Sequence, residues 1–343
     1  MKKVILRSLL LFLITVILFY FILKDNFYES IDLLSKSNLL FIVFAMFFYA
    51  LYIISEAYLL KMLINRSDKK YTIKKSIELT LMTRFFNGIT PFSLGGEPLQ
   101  VYELSKENIK VSDSILAITE AFIIHEITVT FLTIIAIILK YVFNLIPSGF
   151  LWSMTLIGFL VNFIIIFVVS FICIKINVAK KIGTILIKIL GKIHLIKDVD
   201  SSIKGWNDKC IEYSKGYKAL LKDKTFMFKS IMVNSISMIA YYCIAYFAIM
   251  SVASDININF MYSLILSTLI YISATFVPIP GGSVGIEYAY LNYYILIADE
   301  NIVVVSLLLW RFISFYLPMI VGGILFNIID NKRSLECKEV DKN

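Results

Sequence analysis

The chain of 343 residues is 59% hydrophobic and only 17% charged, with a net charge of +8. A typical soluble domain is about 25% charged, and the mean hydropathy of +0.82 is too high for a water-soluble fold. Because the apolar residues come in blocks of about twenty, long enough to cross a bilayer, the composition excludes soluble enzymes, secreted disulfide scaffolds and disordered chains. Solid apolar runs also exclude a β-barrel, whose strands would alternate.

Six apolar stretches predict full membrane spans in an all-α, polytopic integral membrane protein. They are residues 4–23, 38–60, 114–139, 150–175, 229–250 and 302–326. The first is similar to a signal peptide, but its apolar stretch is too long and no small-residue cleavage site follows, so we expect it to be retained. Residues 1–343 are therefore predicted to form one membrane domain, with a short cytoplasmic tail at 327–343.

Two further apolar segments, residues 77–104 and 261–298, are interrupted. They contain PFSLGGEPLQVYEL from Pro91 and PIPGGSVGIEYAYL from Pro278, each with proline, a Gly-Gly pair and then a glutamate. Proline blocks helix continuation, and Gly-Gly permits conformations and close approaches that side chains forbid. Broken backbone at membrane depth must be buried by protein or line a wet cavity.

Matching breaks in two halves of a chain point to a transporter's binding site near the bilayer midplane. The two interrupted segments therefore predict two pseudo-repeated halves that share a functional site. The alternative is a pair of kinked helices in which glycine serves close helix packing.

The charged linkers predict the orientation in the membrane. Segment 61–75 carries six basic residues, and segment 175–229 carries thirteen lysines against five acids. Lysine and arginine accumulate on the cytoplasmic side, so both segments, and both termini, are expected inside a cell membrane, with 140–149 and 251–260 outside. Six spans then require each interrupted segment to enter and leave on one face. Helix pairs that cross twice would keep the same sides and remain an alternative.

The lysine-rich linker at 175–229 mixes isoleucine and leucine with lysine. This pattern predicts an amphipathic helix on the inner membrane surface, where lysines attract anionic lipid. The alternative is a helical hairpin that faces solvent and packs on the membrane domain.

Nine ionisable residues lie in apolar context, and each would cost about 2.5–3.5 kcal/mol if unpaired at mid-bilayer. Most must therefore face a polar cavity or pair with one another. The four that touch the broken segments or the span after them are candidates for lining a cavity, with structural pairing as the alternative: Arg84, Glu97, Glu287 and Arg311. The other five are Glu56, Glu103, Glu120, His125 and Glu126.

Soluble-enzyme chemistry is not encoded. Two histidines and four scattered cysteines give no metal-ligand spacing. There is no Walker loop, dinucleotide fingerprint, nucleophile elbow or HExxH motif. We therefore expect no cofactor, no metal and no nucleic-acid binding.

The two motifs resemble hallmarks of a known family. The stretch FNGITPFSLGGEPLQVYEL is similar to the family's first motif, Pro280 to Glu287 is similar to its PGGxGxxE pattern, and WRFISFYLPMIVGG is similar to the span that follows. On these residues the chain resembles the flippase-like membrane domain of lysylphosphatidylglycerol synthases, including stand-alone forms. Two positions depart from the pattern: Gln100 stands where many members carry arginine, and no arginine is evident near Glu120.

The resemblance implies a function in lipid transport. Full-length relatives attach a cytoplasmic aminoacyltransferase domain that transfers lysine from lysyl-tRNA to phosphatidylglycerol. The membrane part is thought to move the cationic lipid to the outer leaflet, which protects bacteria from cationic peptides and so confers antibiotic resistance. This sequence ends at Asn343, shortly after the last span, so we expect the synthase domain to be absent.

We therefore expect a lipid translocase whose cargo is an aminoacylated or other phospholipid, or a polyprenyl-phosphate-linked lipid. The glutamates would engage a cationic head group and the arginines a phosphate. The alternatives are a phosphatidylglycerol lysyltransferase that works with a separate soluble aminoacyltransferase, and a scaffold for a lipid-linked glycosyltransferase; a homo-oligomer is left open. The predicted lipid-binding or translocation residues are Arg84, Asn87, Pro91, Gly95, Gly96, Glu97, Pro280, Gly281, Gly282, Gly285, Glu287 and Arg311.

Overall fold

The structure is a computed structural model. It describes residues 27–67, 70–90, 93, 95–145, 149–192, 198–253, 256–274 and 284–340. Within these ranges the regular structure is helical, with no strand. This confirms the predicted all-α fold of a polytopic membrane protein.

The first half of the described chain is a long helix, a broken helical pair and another long helix. Asn38 starts the first long helix, because its side-chain oxygen accepts the N–H of Leu40 at 3.0 Å, the usual role of an N-cap asparagine. The helices are α1 (Phe27–Ser35), α2 (Leu39–Ile64), α3 (Ile73–Gly88), α4 (Gly96–Lys106) and α5 (Val111–Val142).

The second half repeats this order after a span and a helical linker. One π-helical turn, Phe312–Tyr316, separates the last two helices. The helices are α6 (Gly149–Ile174), α7 (Ile176–Lys192), α8 (Val199–Lys222), α9 (Lys224–Val252), α10 (Phe260–Ala274), α11 (Gly285–Tyr294), α12 (Glu300–Arg311) and α13 (Leu317–Val340).

Among the described residues, five helical stretches are long and apolar enough to cross a membrane. They correspond to five of the six predicted spans, while the predicted span at 4–23 lies outside the described residues. The stretches are Leu39–Ser67, Val111–Val142, Gly149–Ile174, Lys224–Val252 and Glu300–Arg333.

The helices of the two broken segments are short. Helices α3 and α4 have 16 and 11 residues, and α10 and α11 have 15 and 10. At about 1.5 Å per residue, none of the four can cross a hydrocarbon core of about 30 Å. These lengths fit hairpins that enter and leave on one face, and whether each segment does so or crosses twice stays a prediction.

Helices α2 and α9, which occupy equivalent places in the two halves, pack against each other at the centre of the bundle. The buried face of α9 carries small side chains, including Ala240, Ala245 and Ala248, next to Tyr52 and Ile53 of α2. Small residues let membrane helices approach closely, and this contact brings the two broken hairpins to a common core.

The lysine-rich segments meet at one end of the bundle. The guanidinium carbon of Arg66, after α2, lies 5.0 Å from the ring centre of Phe226 at the start of α9. At the other end, the N–H of Asn38 donates to the carbonyl of Ser251 at 2.7 Å. The helix packing therefore places the two lysine-rich segments at one end of the bundle and the loops near Asn38 and Ser251 at the other, which is the grouping that the charges predict. Which end faces the cytoplasm stays a prediction.

The lysine-rich linker contains two helices, α7 and α8, which pack on each other. Tyr217 of α8 is buried and donates to Ser170 of α6 at 3.1 Å, whereas α7 leaves Ile185 and Ile189 about half exposed. The linker thus combines a hairpin packed on the bundle with an amphipathic helix that presents an apolar face outward.

Candidate functional site

The first motif is organised by side chains at the end of α3 that hold the start of α4. The side-chain oxygen of Asn87 accepts the N–H of Gly96 at 2.6 Å. The hydroxyl of Thr90 accepts the N–H of Gly95 at 2.9 Å. The first N–H groups of a helix have no intrahelical partner, so these two side chains fix where α4 begins.

Gly96 is required by close packing between α4 and α3. A Cβ atom at this position would overlap the Thr83 side chain and lie 2.5 Å from the side-chain oxygen of Asn87. One turn further along α4, Gln100 donates to the hydroxyl of Thr83 at 3.0 Å. The Gly-Gly pair therefore lets the restarting helix pack directly on α3. Pro91, which precedes it, lies outside the described residues.

Arg84, on α3, is paired with α2. Its Nη2 donates to a carboxylate oxygen of Glu56 and, at 2.5 Å, to the hydroxyl of Tyr52. The guanidinium carbon also lies 5.0 Å from the ring centre of Tyr52, a cation–π distance. Its Nε is buried and has no hydrogen-bond partner in the described structure, so the hydrogen-bonding capacity of Arg84 is only partly used.

Glu97 opens α4 beside this pair. Arg84 and Glu56 both lie near enough for their charges to act on its carboxyl group. Its Oε2 is buried without a hydrogen-bond partner among the described residues. Glu97 is therefore a second carboxylate near the Arg84 guanidinium, besides Glu56, and its Oε2 accepts no hydrogen bond from a described residue.

The second motif restarts the chain at Gly285, the first residue of α11. Val284 precedes it with φ 72° and ψ −52°, and a positive φ is a genuine outlier for a β-branched residue. The other predicted residues of this motif lie outside the described residues: Pro280, Gly281 and Gly282.

Glu287 and Arg311 form a buried ion pair between α11 and the end of α12. Arg311 Nε lies 2.6 Å and Nη2 2.5 Å from the same oxygen, Oε1, of Glu287. The side chain of Arg311 is 2% exposed and that of Glu287 is 7% exposed. The ring centre of Phe315 lies 4.9 Å from the guanidinium carbon. The π-helical turn that follows Arg311 is a feature often found at functional sites.

Aromatic side chains connect the two Arg–Glu pairs through the middle of the bundle. The ring centre of Tyr241 lies 5.1 Å from that of Tyr52 and 6.3 Å from that of Trp310. The charges of Arg84 and Arg311 both act on Tyr241. These pairs, with Tyr52, Tyr241 and Trp310, are called here the paired-charge site.

A cavity of about 10 Å³ lies beside this aromatic bridge, lined by Tyr241, Tyr271 and Trp310 among others. That volume is at the lower limit for a single water molecule. A phospholipid head group cannot enter this cavity without movement of the surrounding helices.

The other ionisable residues of the bundle also have partners. Glu120 accepts from Arg66 at 2.7 Å, and the His125 ring nitrogen lies 3.0 Å from the hydroxyl of Tyr271. Glu126 accepts from Asn162, and Glu103 accepts from Arg333 at 2.5 Å and from Lys106 at 3.2 Å. Pairing therefore accounts for most of the charges that the sequence places at membrane depth.

The structure brings together some predicted site residues and adds others. Arg84 and Glu97 are near one another, and Glu287 meets Arg311 directly, although the sequence assigned the last two to different parts of a lipid head group. Sequence reasoning did not identify Tyr52, Tyr241 and Trp310. A signal existed for Tyr52, because it lies four residues before Glu56 and so on the same face of a helix.

Comparison with known proteins agrees with this architecture. The profile of the family described as Lysylphosphatidylglycerol synthase TM region matches residues 4–322. The chain belongs to this family. The match includes both broken motifs and both Arg–Glu pairs, so it confirms the resemblance that the motifs indicated.

The family member is also similar to a UPF0104 membrane protein of Archaeoglobus fulgidus. The two are 25% identical over 300 residues, which cover 86% of this chain and 88% of that protein. A multi-pass membrane protein is thus supported by helices, family and relative together.

Proposed function

We propose that the protein translocates a phospholipid between the leaflets of its membrane, and that the paired-charge site recognises the head group. The observation that carries this proposal is the presence of two Arg–Glu pairs, one at each broken hairpin, joined by aromatic side chains in the core. Matched breaks near a central charged site are typical of transporters.

The pairs suggest how a head group would be held. A guanidinium binds phosphate with two parallel hydrogen bonds, and a carboxylate binds an ammonium group. A head group that carries both charges could replace Glu287 on Arg311 with its phosphate and replace Arg311 on Glu287 with its ammonium. Breaking a buried pair by removing one partner costs about 3–5 kcal/mol. A lipid that supplies both a phosphate and an ammonium group is therefore favoured over a lipid that supplies only one of them.

This reasoning favours lipids with a cationic group near the phosphate, such as an aminoacylated phosphatidylglycerol. The free Oε2 atoms of Glu97 and Glu287 and the free Nε of Arg84, all buried in the described structure, supply further contacts for such a head group. A buried polar group without a protein partner calls for an explanation, and a bound head group would supply one at these three atoms.

The test is a leaflet-access assay in liposomes with fluorescent lipids. Lysylphosphatidylglycerol, phosphatidylethanolamine and phosphatidylglycerol are compared in vesicles with protein and without it. We expect protein to accelerate movement of the first two lipids more than that of phosphatidylglycerol. Movement of every lipid at the protein-free rate would overturn the proposal, as would an unchanged rate in the Arg84→Gln/Arg311→Gln double variant.

A further inference from the structure

A second candidate site lies away from the paired-charge site, between the α7–α8 hairpin and the spans α5 and α6. It is a groove with a cavity volume of about 320 Å³, within the range of small-molecule sites. Its lining is almost entirely apolar and comes from all four helices. It includes Ile115, Ile172, Ile182, Leu186, Trp206 and Tyr213.

The groove continues onto an apolar surface that is not covered within the described structure. On α7, Ile182, Ile185, Leu186 and Ile189 are 42–54% exposed and follow the spacing of one helix face. By the same spacing, Lys181 and Lys188 flank this face, and Lys180 lies on the side of Ile176 and Gly183, which line the groove. An amphipathic helix of this kind lies in the membrane interface, with its apolar face toward the acyl chains.

Positive charge lies beside the groove. Lys209 is part of its lining. Burial raises the pKa of the Cys210 thiol, which also lines the groove, and the positive charge of Lys180 acts in the opposite direction, so Lys180 is close as well. The linker that forms one side carries thirteen lysines and five acids. The combination of an apolar slot and a cationic rim matches a lipid with a hydrocarbon chain and an anionic head group.

We propose that this groove binds one acyl chain of an anionic phospholipid from the leaflet on the lysine-rich side, with Lys209 contacting the lipid phosphate. This site is distinct from the paired-charge site and does not depend on translocation. A lipid bound here would fill the space between the hairpin and the spans and hold α7 and α8 against α5 and α6.

Trp206 lines the groove and provides a reporter. Its indole donates to the carbonyl of Ala179 at 3.2 Å and its side chain is 37% exposed. The purified protein is placed in liposomes with phosphatidylglycerol brominated in its acyl chain, because bromine quenches tryptophan at short range. The difference in quenching between wild type and Trp206→Phe isolates Trp206 from Trp152 and Trp310. We expect saturable quenching at a low fraction of brominated phosphatidylglycerol.

Matched variants separate the groove from the rest of the surface. Leu186→Glu puts a charge in the groove and should abolish saturable quenching, whereas Ile189→Glu, similarly exposed on the same helix but outside the lining, should retain it. Ala179→Phe fills the groove without adding charge and should also abolish it. Lys209→Ala should lower the preference for phosphatidylglycerol over phosphatidylcholine about fivefold, the factor expected for one lysine–lipid contact, and Lys218→Ala should lower it less.

Three results would overturn the proposal. Quenching that rises linearly with brominated lipid would show contact with bulk lipid only. Equal saturation by brominated phosphatidylcholine would show that the groove does not select an anionic head group. If the protein is a dimer that Leu186→Glu dissociates, and no saturable quenching is seen, then this face binds a second copy of the chain and not a lipid. Because the assay measures binding, failure here leaves the leaflet-access result unaffected.

Discussion

Glu287 binds two of the three guanidinium nitrogens of Arg311 with a single carboxylate oxygen. Nε and Nη2 lie 2.6 and 2.5 Å from Oε1, while Oε2 is buried without a hydrogen-bond partner among the described residues. A purely structural pair would be expected to use both oxygens in the bidentate geometry that arginine favours. The free oxygen leaves one acceptor for an ammonium group, which is the chemistry that the proposed cargo supplies.

The pair makes a prediction about stability. Glu287→Gln or Arg311→Ala alone should each lower the free energy of unfolding by about 3–5 kcal/mol, because each leaves a buried group unpaired. The double variant should recover part of that loss, since no uncompensated charge remains. Thermal unfolding in detergent, measured for both singles and the double, checks this expectation.

The same variants test the role of the pair in transport. All three should be inactive in the leaflet-access assay, because each lacks a head-group contact. A double variant that regained both stability and transport would show that Glu287 and Arg311 act only on each other, and would leave structural pairing as their whole role.

The first Arg–Glu pair, Arg84 with Glu56, can be compared with the pair of Arg66 and Glu120 in the same protein. Arg84→Gln removes the charge beside Tyr52 and should lower the translocation rate at least tenfold, because a phosphate contact to arginine is worth well over 1 kcal/mol. Arg66→Gln breaks a similar, partly buried pair with Glu120 that lies outside the paired-charge site. It should destabilise the protein comparably and leave transport per folded molecule within about twofold.

Both rates are measured at matched reconstitution, with folded protein quantified by size-exclusion chromatography. Equal losses of transport in the two variants would mean that Arg84 matters through stability alone.

The sequence predicted those features of the fold that depend on local pattern. Apolar runs located all five described spans, with ends up to seven residues from the observed ones, and the proline and glycine residues predicted interruptions before α4 and α11. These signals are local because span length and helix breaking are set by the residues themselves.

Charge partners in the bundle and the aromatic residues of the candidate site were less predictable. Arg66 lies in a basic loop in the sequence, yet it binds Glu120, 54 residues away. Tyr52 and Tyr241 meet only because α2 and α9 pack together. Charge partners and aromatic contacts of this kind depend on tertiary packing, for which a single sequence holds no periodic signal.

Close packing at the first motif makes a prediction about glycine. Gly96→Ala should destabilise the protein by about 1–3 kcal/mol, because its Cβ would displace Thr83 and Asn87 and overpack this contact. Gly205→Ala is the matched control: it lies inside α8 with no atom within 4 Å of the added Cβ, so it should stabilise by about 0.5–1 kcal/mol. Thermal unfolding in detergent distinguishes the two, and a Gly96→Ala protein as stable as wild type would contradict the packing seen at α4.

The orientation in the membrane is testable by cysteine labelling. In a background without Cys173, Cys210, Cys243 and Cys337, a membrane-impermeant maleimide added to intact cells should label Asn144→Cys and Ile256→Cys. It should label Lys70→Cys and Gly205→Cys only after the cells are opened. The reason is the lysine excess of the segments that contain residues 70 and 205. External labelling at 205 would reverse the assignment of sides.

Val284 stores strain directly before the helix that carries Glu287. Its φ of 72° is a positive value that β-branched residues rarely adopt, at a cost of about 1–3 kcal/mol, and the residue is 47% exposed. Glycine adopts this conformation without strain, so Val284→Gly should raise the free energy of unfolding by about 1 kcal/mol, after allowing for the entropy that glycine loses on folding.

Val168→Gly is the control, because Val168 is similarly exposed, at 45%, inside the regular helix α6. There the same change should destabilise by roughly 0.5–1 kcal/mol. Equal destabilisation by the two variants, measured by thermal unfolding at matched detergent, would show that the Val284 side chain contributes more to the fold than its backbone strain removes.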